Sequence, residues 1–107
     1  MKTALVTGAA RGIGRATADA LARAGFRVLA LDRDFPGSDL SNQIVFDLAD
    51  LAGIGKLVAG LGEIHVLVNN AGMQNAIPIE RYTAEARERI LRVNLEAPVE
   101  LIRAVAP

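Results

Sequence analysis

A chain of 107 residues is long enough for one domain and too short for a second hydrophobic core beside it. Twelve basic residues balance twelve acidic ones, so no net field draws nucleic acid or an anionic membrane surface, and a small-molecule partner fits better. Cysteine is absent, which excludes disulfides, a thiolate nucleophile and a thiolate metal site and suits a reducing compartment.

In chain order, Thr3 to Thr7 is an apolar run broken by Gly8, the signature of a buried strand entering a tight turn. The run Ala4-Leu5-Val6 is shorter than the ~7–15-residue core of a signal peptide. No stretch approaches the ~18 apolar residues of a membrane span, so the chain reads as soluble and cytoplasmic. Ile13, Ala16, Ala20, Leu21 and Ala24 then recur at helical spacing ahead of Gly25, a C-terminal cap. Phe26 to Leu31 forms a second strand ending at Asp32. Arg33-Asp34-Phe35-Pro36-Gly37-Ser38 carries turn chemistry, which predicts a loop in place of the second crossover helix. Gln43 to Phe46 reads as a third strand, Leu51, Ile54, Leu57, Val58 and Leu61 as a helical stripe, and Ile64 to Val68 as a fourth strand. A last helix follows Thr83, an N-cap, and runs through Ile90, Leu91 and Leu95. Pro98 sits inside it and has no N–H for the carbonyl of Asn94. That arrangement is either a simple kink or break, or a carbonyl kept free for a purpose.

Alternating strands and helices predict a doubly wound α/β half-domain spanning residues 1–107. Its four parallel strands take the order 3-2-1-4, with helices on both faces and right-handed crossovers. A ligand then belongs over the carboxyl ends, where the order reverses between strands 1 and 4. The turn there, Thr7-Gly8-Ala9-Ala10-Arg11-Gly12-Ile13-Gly14, joins a strand to a helix N-terminus, where unpaired N–H groups favour a phosphate. Gly8 allows the sharp turn, Gly12 close approach of a pyrophosphate, and Gly14 close packing of helix on sheet. Asp32, eighteen positions past Gly14, stands where an acidic residue accepts from an adenosine ribose. Its carboxylate favours NAD over NADP, whereas Arg11 and Arg33 attract the extra phosphate of NADP.

These residues, together with Asp47-Leu48, Asn69-Asn70-Ala71-Gly72 and Arg92-Val93-Asn94-Leu95, resemble the short-chain dehydrogenase/reductase family from about Thr3 to Pro107. The glycine spacing is that family's Thr-Gly-x-x-x-Gly-x-Gly. The resemblance implies a Rossmann-like NAD(P)-binding part in which Thr7, Gly8, Arg11, Gly12, Ile13, Gly14, Asp32 and Arg33 surround the cofactor. It further implies that Asp47 accepts from the adenine amine while the Leu48 backbone approaches the ring. Asn70, Ala71 and Gly72 shape the nicotinamide side, and the Asn94 backbone carbonyl holds a water of a proton relay.

In the complete enzymes a hydride moves between nicotinamide and an alcohol or carbonyl, with a serine and a Tyr-x-x-x-Lys pair in the active site. Here the only tyrosine, Tyr82, precedes Ala86 by four positions, the lysines are Lys2 and Lys56, and the serines are Ser38 and Ser41. The expectation is a cofactor-binding part, truncated before its chemistry and inactive alone, with Tyr82 packing at a helix entry. The alternative is a noncatalytic nucleotide-binding or interaction module that self-associates or docks a complementary chain through the strand-4 edge. His65 is expected to pack at a strand start, with no metal site. Arg87, Arg89, Arg92, Glu85 and Glu88 are expected to form a solvated helix face, and no basic stripe for nucleic acid is present.

Overall fold

The computed structural model describes residues 1–37, 42–74 and 76–107; Ser38 and Ser41 lie outside the described residues. The centre of the sheet is β1 (Thr3–Thr7), buried along its whole length because it is covered on both faces. It pairs in parallel with β2 (Arg27–Asp32) on one side and β4 (Val66–Val68) on the other. Beyond β2 lies β3 (Gln43–Val45), giving the order β3-β2-β1-β4.

The two-residue period of the strands sorts the apolar side chains into two cores. Leu5, Leu29 and Leu31 face a layer built from α2 (Leu51–Ala59) and α4 (Ala97–Val105), where Ile54, Val58, Ala97 and Leu101 close the larger core. Val6 and Ala30 point the other way, against Ala9 and Ala18 of the smaller core under α1 (Gly12–Arg23). Helices therefore cover both faces. No helix among the described residues is long and apolar enough to cross a membrane.

Three strand boundaries move relative to the sequence expectation. β2 runs one residue later, so Asp32 is its last residue. β3 ends at Val45, and Phe46 already turns out of it while its N–H donates to the Asp32 carbonyl (2.9 Å). β4 begins only at Val66, preceded by His65, whose N–H donates to the Thr3 carbonyl (2.9 Å).

The expected face of α1 is corrected. Ile13 is 79% exposed, and Ala16, Ala20 and Ala24 are exposed as well. Gly14 and Ala18 are the residues turned to the sheet, with Leu21 packed beside them. A helix lying this close to a sheet needs its smallest residues at the contact, and a stripe chosen by hydrophobicity alone passes over glycine.

The last helical stretch is neither broken nor simply kinked. It runs as α3 (Ala84–Leu91), a π turn over Arg92–Glu96, and then α4. Thr83 caps its start, its hydroxyl accepting from the Ala86 N–H (3.1 Å). In the π turn the Ala97 N–H reaches back five residues to the Arg92 carbonyl, and Pro98 falls in the first turn of α4, where a missing N–H is tolerated.

Candidate functional site

All four strands point their carboxyl ends at one groove of about 540 Å³. The sheet order sets the order of residues along it: Asp47 and Leu48 after β3, Asp32 at the end of β2, Gly8 after β1, and Asn70 to Met73 after β4. A volume of this size lies within the range of ordinary small-molecule sites.

At the middle of the groove, Thr7 is a buried hub. Its hydroxyl donates to the Val68 carbonyl (3.3 Å) and accepts from the N–H groups of Asn70 (3.1 Å) and Ala71 (3.0 Å). The hydroxyl's single donor and both lone pairs are thereby used, tying β1 to the loop after β4. The Asn70 side-chain amide donates to the Gly8 carbonyl (3.2 Å). Gly8 sits at φ +65, and Gly14 packs so tightly that a Cβ there would collide with the Gly8 carbonyl and lie 2.5 Å from Asn70 Nδ2. Gly12 differs: at φ +62 it faces open space. The N-terminus of α1 has no side-chain cap, since Arg11 occupies the cap position without bonding to it. Among the described residues no side chain caps the first-turn N–H groups of that helix, which suits an anion.

At the β2 end, the two oxygens of Asp32 accept from the Ala10 N–H (3.0 Å) and the Arg33 N–H (2.7 Å). Each oxygen keeps a lone pair for a further donor. Arg11 reaches over to Asp34 (2.8 Å), an exposed pair that the sequence pattern did not single out.

At the β3 end, Asp47 accepts from the Ala49 N–H (2.9 Å) and from Arg89, whose Nη2 lies 3.1 Å from both carboxylate oxygens. Partial burial pushes the Asp47 carboxyl up. The Ala49 N–H, the hydrogen bond and charge of Arg89, and the charge of Arg33 outweigh it and hold the group below its ordinary value. Arg89 was expected on a solvated face of the last helix; it lines the groove instead. Its partner is 42 residues away, so no local pattern announces the contact. Leu48 is buried in the larger core and also lines the groove.

At the β4 end, Asn94 grips the backbone of Met73 with both ends of its amide. Oδ1 accepts from the Met73 N–H and Nδ2 donates to the Met73 carbonyl, each at 2.8 Å. The side chain thus holds the Asn70–Met73 loop. Val93, beside it, is buried and lines the groove, as do Ala71 and Gly72.

Thr7, Gly12, Ile13 and Gly14 stand behind or beside the groove lining, and Ile13 projects to solvent next to Gly12. Tyr82 is half-buried just ahead of α3 and does not line the groove. His65 lies away from the groove, where its Nδ1 accepts from the Thr3 N–H (3.0 Å) and pins β1 to the segment entering β4. Phe46, Met73 and Asp34, which line the groove, were not anticipated.

A nucleotide-sized groove at the switch point of a parallel sheet, with a glycine turn opening onto a helix N-terminus, defines a Rossmann-like nucleotide-binding domain. The family model for short chain dehydrogenases matches residues 2–107, and the chain belongs to the short-chain dehydrogenase/reductase family, corresponding to its NAD(P)-binding part. Sorbitol dehydrogenase from Cereibacter sphaeroides is 38% identical over 117 aligned residues, covering 98% of this chain and 46% of that protein. A metagenomic short-chain oxidoreductase solved with NADP superposes with a TM-score of 0.87 at 33% identity, covering 99% of this chain and 55% of the other. A 4-hydroxyisoleucine dehydrogenase solved with NADH gives 0.89 at 27% identity, over 98% and 48%. Further solved relatives carry NADP or NADPH. The chain spans about half the length of the curated relatives it matches.

Proposed function

We propose that the groove binds a nicotinamide dinucleotide, with adenine at Asp47 and Leu48, ribose at Asp32, pyrophosphate at Gly12 and the α1 N-terminus, and nicotinamide beside Asn70, Ala71 and Gly72. The observation that carries this reading is the order of the strand-end residues across the sheet, with Gly12, open to solvent, beginning the uncapped helix α1 beside the groove. Bound there, the cofactor supplies a hydride for exchange between nicotinamide and a small alcohol or carbonyl. This chain's own residues bind and orient it. Asn94 fixes the nicotinamide-side loop through its side chain, while Pro98 offers no N–H to its backbone carbonyl, which suits that carbonyl to a relay water. With no Tyr-x-x-x-Lys pair among its residues, the 107-residue chain is expected to bind without turning over.

We favour NAD. Asp32 and Asp34 put two carboxylates in the groove lining at the β2 end, which would repel a ribose phosphate there, and Arg11, one of the two cations that would welcome it, is already paired with Asp34. The NADP-bound relatives weigh the other way, so the two cofactors are compared directly. In fluorescence titrations the chain should bind NADH saturably, and NADPH more weakly by about tenfold, the effect of roughly 1.4 kcal/mol of added repulsion. Equal or tighter NADPH binding would reverse the preference, and no binding of either would sink the site.

A second reading concerns assembly. Leu95, Val99 and Ile102 are each more than half exposed on the outer face of the last helix, and β4 pairs only with β1 among the described strands. Both features favour self-association. Sedimentation velocity should show a concentration-dependent dimer or larger species, and a monomer at all concentrations would refute it.

A further inference from the structure

We propose that Arg89 is a positioning residue for base recognition, holding the Asp47 carboxylate so that it offers one directed acceptor to the exocyclic amine of adenine. The proposal rests on the dinucleotide reading above.

The lone pairs of Asp47 limit what it can still accept. A carboxylate has about four acceptor sites. At Asp47 the Ala49 N–H takes one on Oδ1, and Arg89 Nη2 approaches both oxygens equally at 3.1 Å, taking one on each. Three are used, which leaves a single site on Oδ2. The two donors come from different elements, the backbone after β3 and the last turn of α3, so the carboxylate can neither rotate nor slide without losing one of them. A group fixed in this way pairs with an N–H and rejects a carbonyl oxygen. The ionisation of Asp47 is also protected, since against the upward push of burial the Ala49 N–H and then Arg89 lower its pKa. Both side chains line the groove, and the Arg89 side chain is about two-thirds covered, at 32% exposure. An arginine on a freely solvated helix face would hold nothing in this way.

The same helix grips the other end of the groove five residues later, where Asn94 holds Met73. Arg89 therefore anchors at the base end an element that also shapes the nicotinamide end.

The test uses two probes, NADH and its purine analogue, in which a hydrogen replaces the adenine amine. The full chain should bind NADH about tenfold more tightly than the analogue, as expected for one charge-assisted hydrogen bond. Arg89→Met should collapse that ratio to within about twofold by weakening NADH alone, Asp47→Ala should do the same, and the double variant should add nothing further. A merely structural or general electrostatic role would weaken both probes equally and leave the ratio intact, and that result overturns the proposal. So does a wild-type chain that binds both probes alike. A wild-type chain that binds neither overturns the dinucleotide reading itself, and this proposal with it. Should Arg89→Met fail to fold by circular dichroism, Arg89→Lys, which keeps the charge and loses the planar guanidinium, is judged by the same ratio.

Discussion

Two glycines of one turn, Gly12 and Gly14, carry different loads. At Gly14 any side chain meets the Gly8 carbonyl and the Asn70 amide, both of which are fixed by further contacts, so nothing can yield. At Gly12 there is room, and the cost of a side chain is the backbone conformation alone. Gly12→Ala should therefore destabilise by about 1–2 kcal/mol, the penalty of a left-handed residue. Gly14→Ala should cost more, at the upper end of the ~1–3 kcal/mol of an overpacked contact, and should shift the Asn70 loop. Urea denaturation of the two variants checks the order, and a Gly14 variant as stable as the Gly12 variant would contradict the packing argument. Glycine identity and spacing were legible in the sequence. So was a close-packing role for Gly14; that the Asn70 side chain, from a loop more than fifty residues away, joins the Gly8 carbonyl in locking it was not.

Between residues and fold, the last helix shows how one element can serve two ends of a site. Its π turn inserts an extra residue just before Pro98, re-aiming α4 without ending the helix. The proline was visible in the sequence, yet a missing N–H is equally compatible with a kink, a break or a bulge. Choosing among them required the packing of Ala97 and Leu101 against the α2 layer, which holds the helix on course. Replacing Pro98 with Ala supplies the missing donor. The residue-98 amide is then expected to bond to the Asn94 carbonyl and the π turn to relax toward α-helix. The crystal structure of the variant and amide exchange at position 98 read this out, and an unchanged turn with an unprotected amide would refute it. The α1 stripe carries a related lesson: hydrophobic periodicity selected Ile13 and Ala16, whereas close packing selected Gly14 and Ala18.

Across the whole molecule, the parallel order β3-β2-β1-β4 gathers four loops, separated along the chain by tens of residues, at one edge. The Asp47–Arg89 pair joins the β3 rim to α3 and makes stability respond to acid. The Asp47 pKa is lower in the folded chain than in the unfolded one, so its contribution is present above the ordinary value of 3.8 and is lost as pH falls through the folded value. With 45% of the Asp47 side chain exposed, solvent screens the pair and its effect is small. Denaturation at neutral pH should show wild type slightly more stable than Arg89→Met, with the gap closing in acid below the ordinary aspartate range. A gap that persists or widens there would assign the stabilisation to packing of the arginine stem instead.

The number and order of strands, the site of the glycine turn, the caps at Thr83 and Gly25, and Asp32 at a strand end are all written in the sequence. Apart from the strand order, which follows from the rules of doubly wound sheets, each is a local property: a two- or 3.6-residue period, a positive φ, a hydroxyl three residues from an N–H. Tertiary packing was needed to establish that Arg89 meets Asp47, that Arg11 meets Asp34, that Asn94 clasps Met73 and that the Thr7 hydroxyl joins two strands. Those contacts link side chains on different elements, and only the assembly of sheet and helices brings such groups within hydrogen-bonding distance.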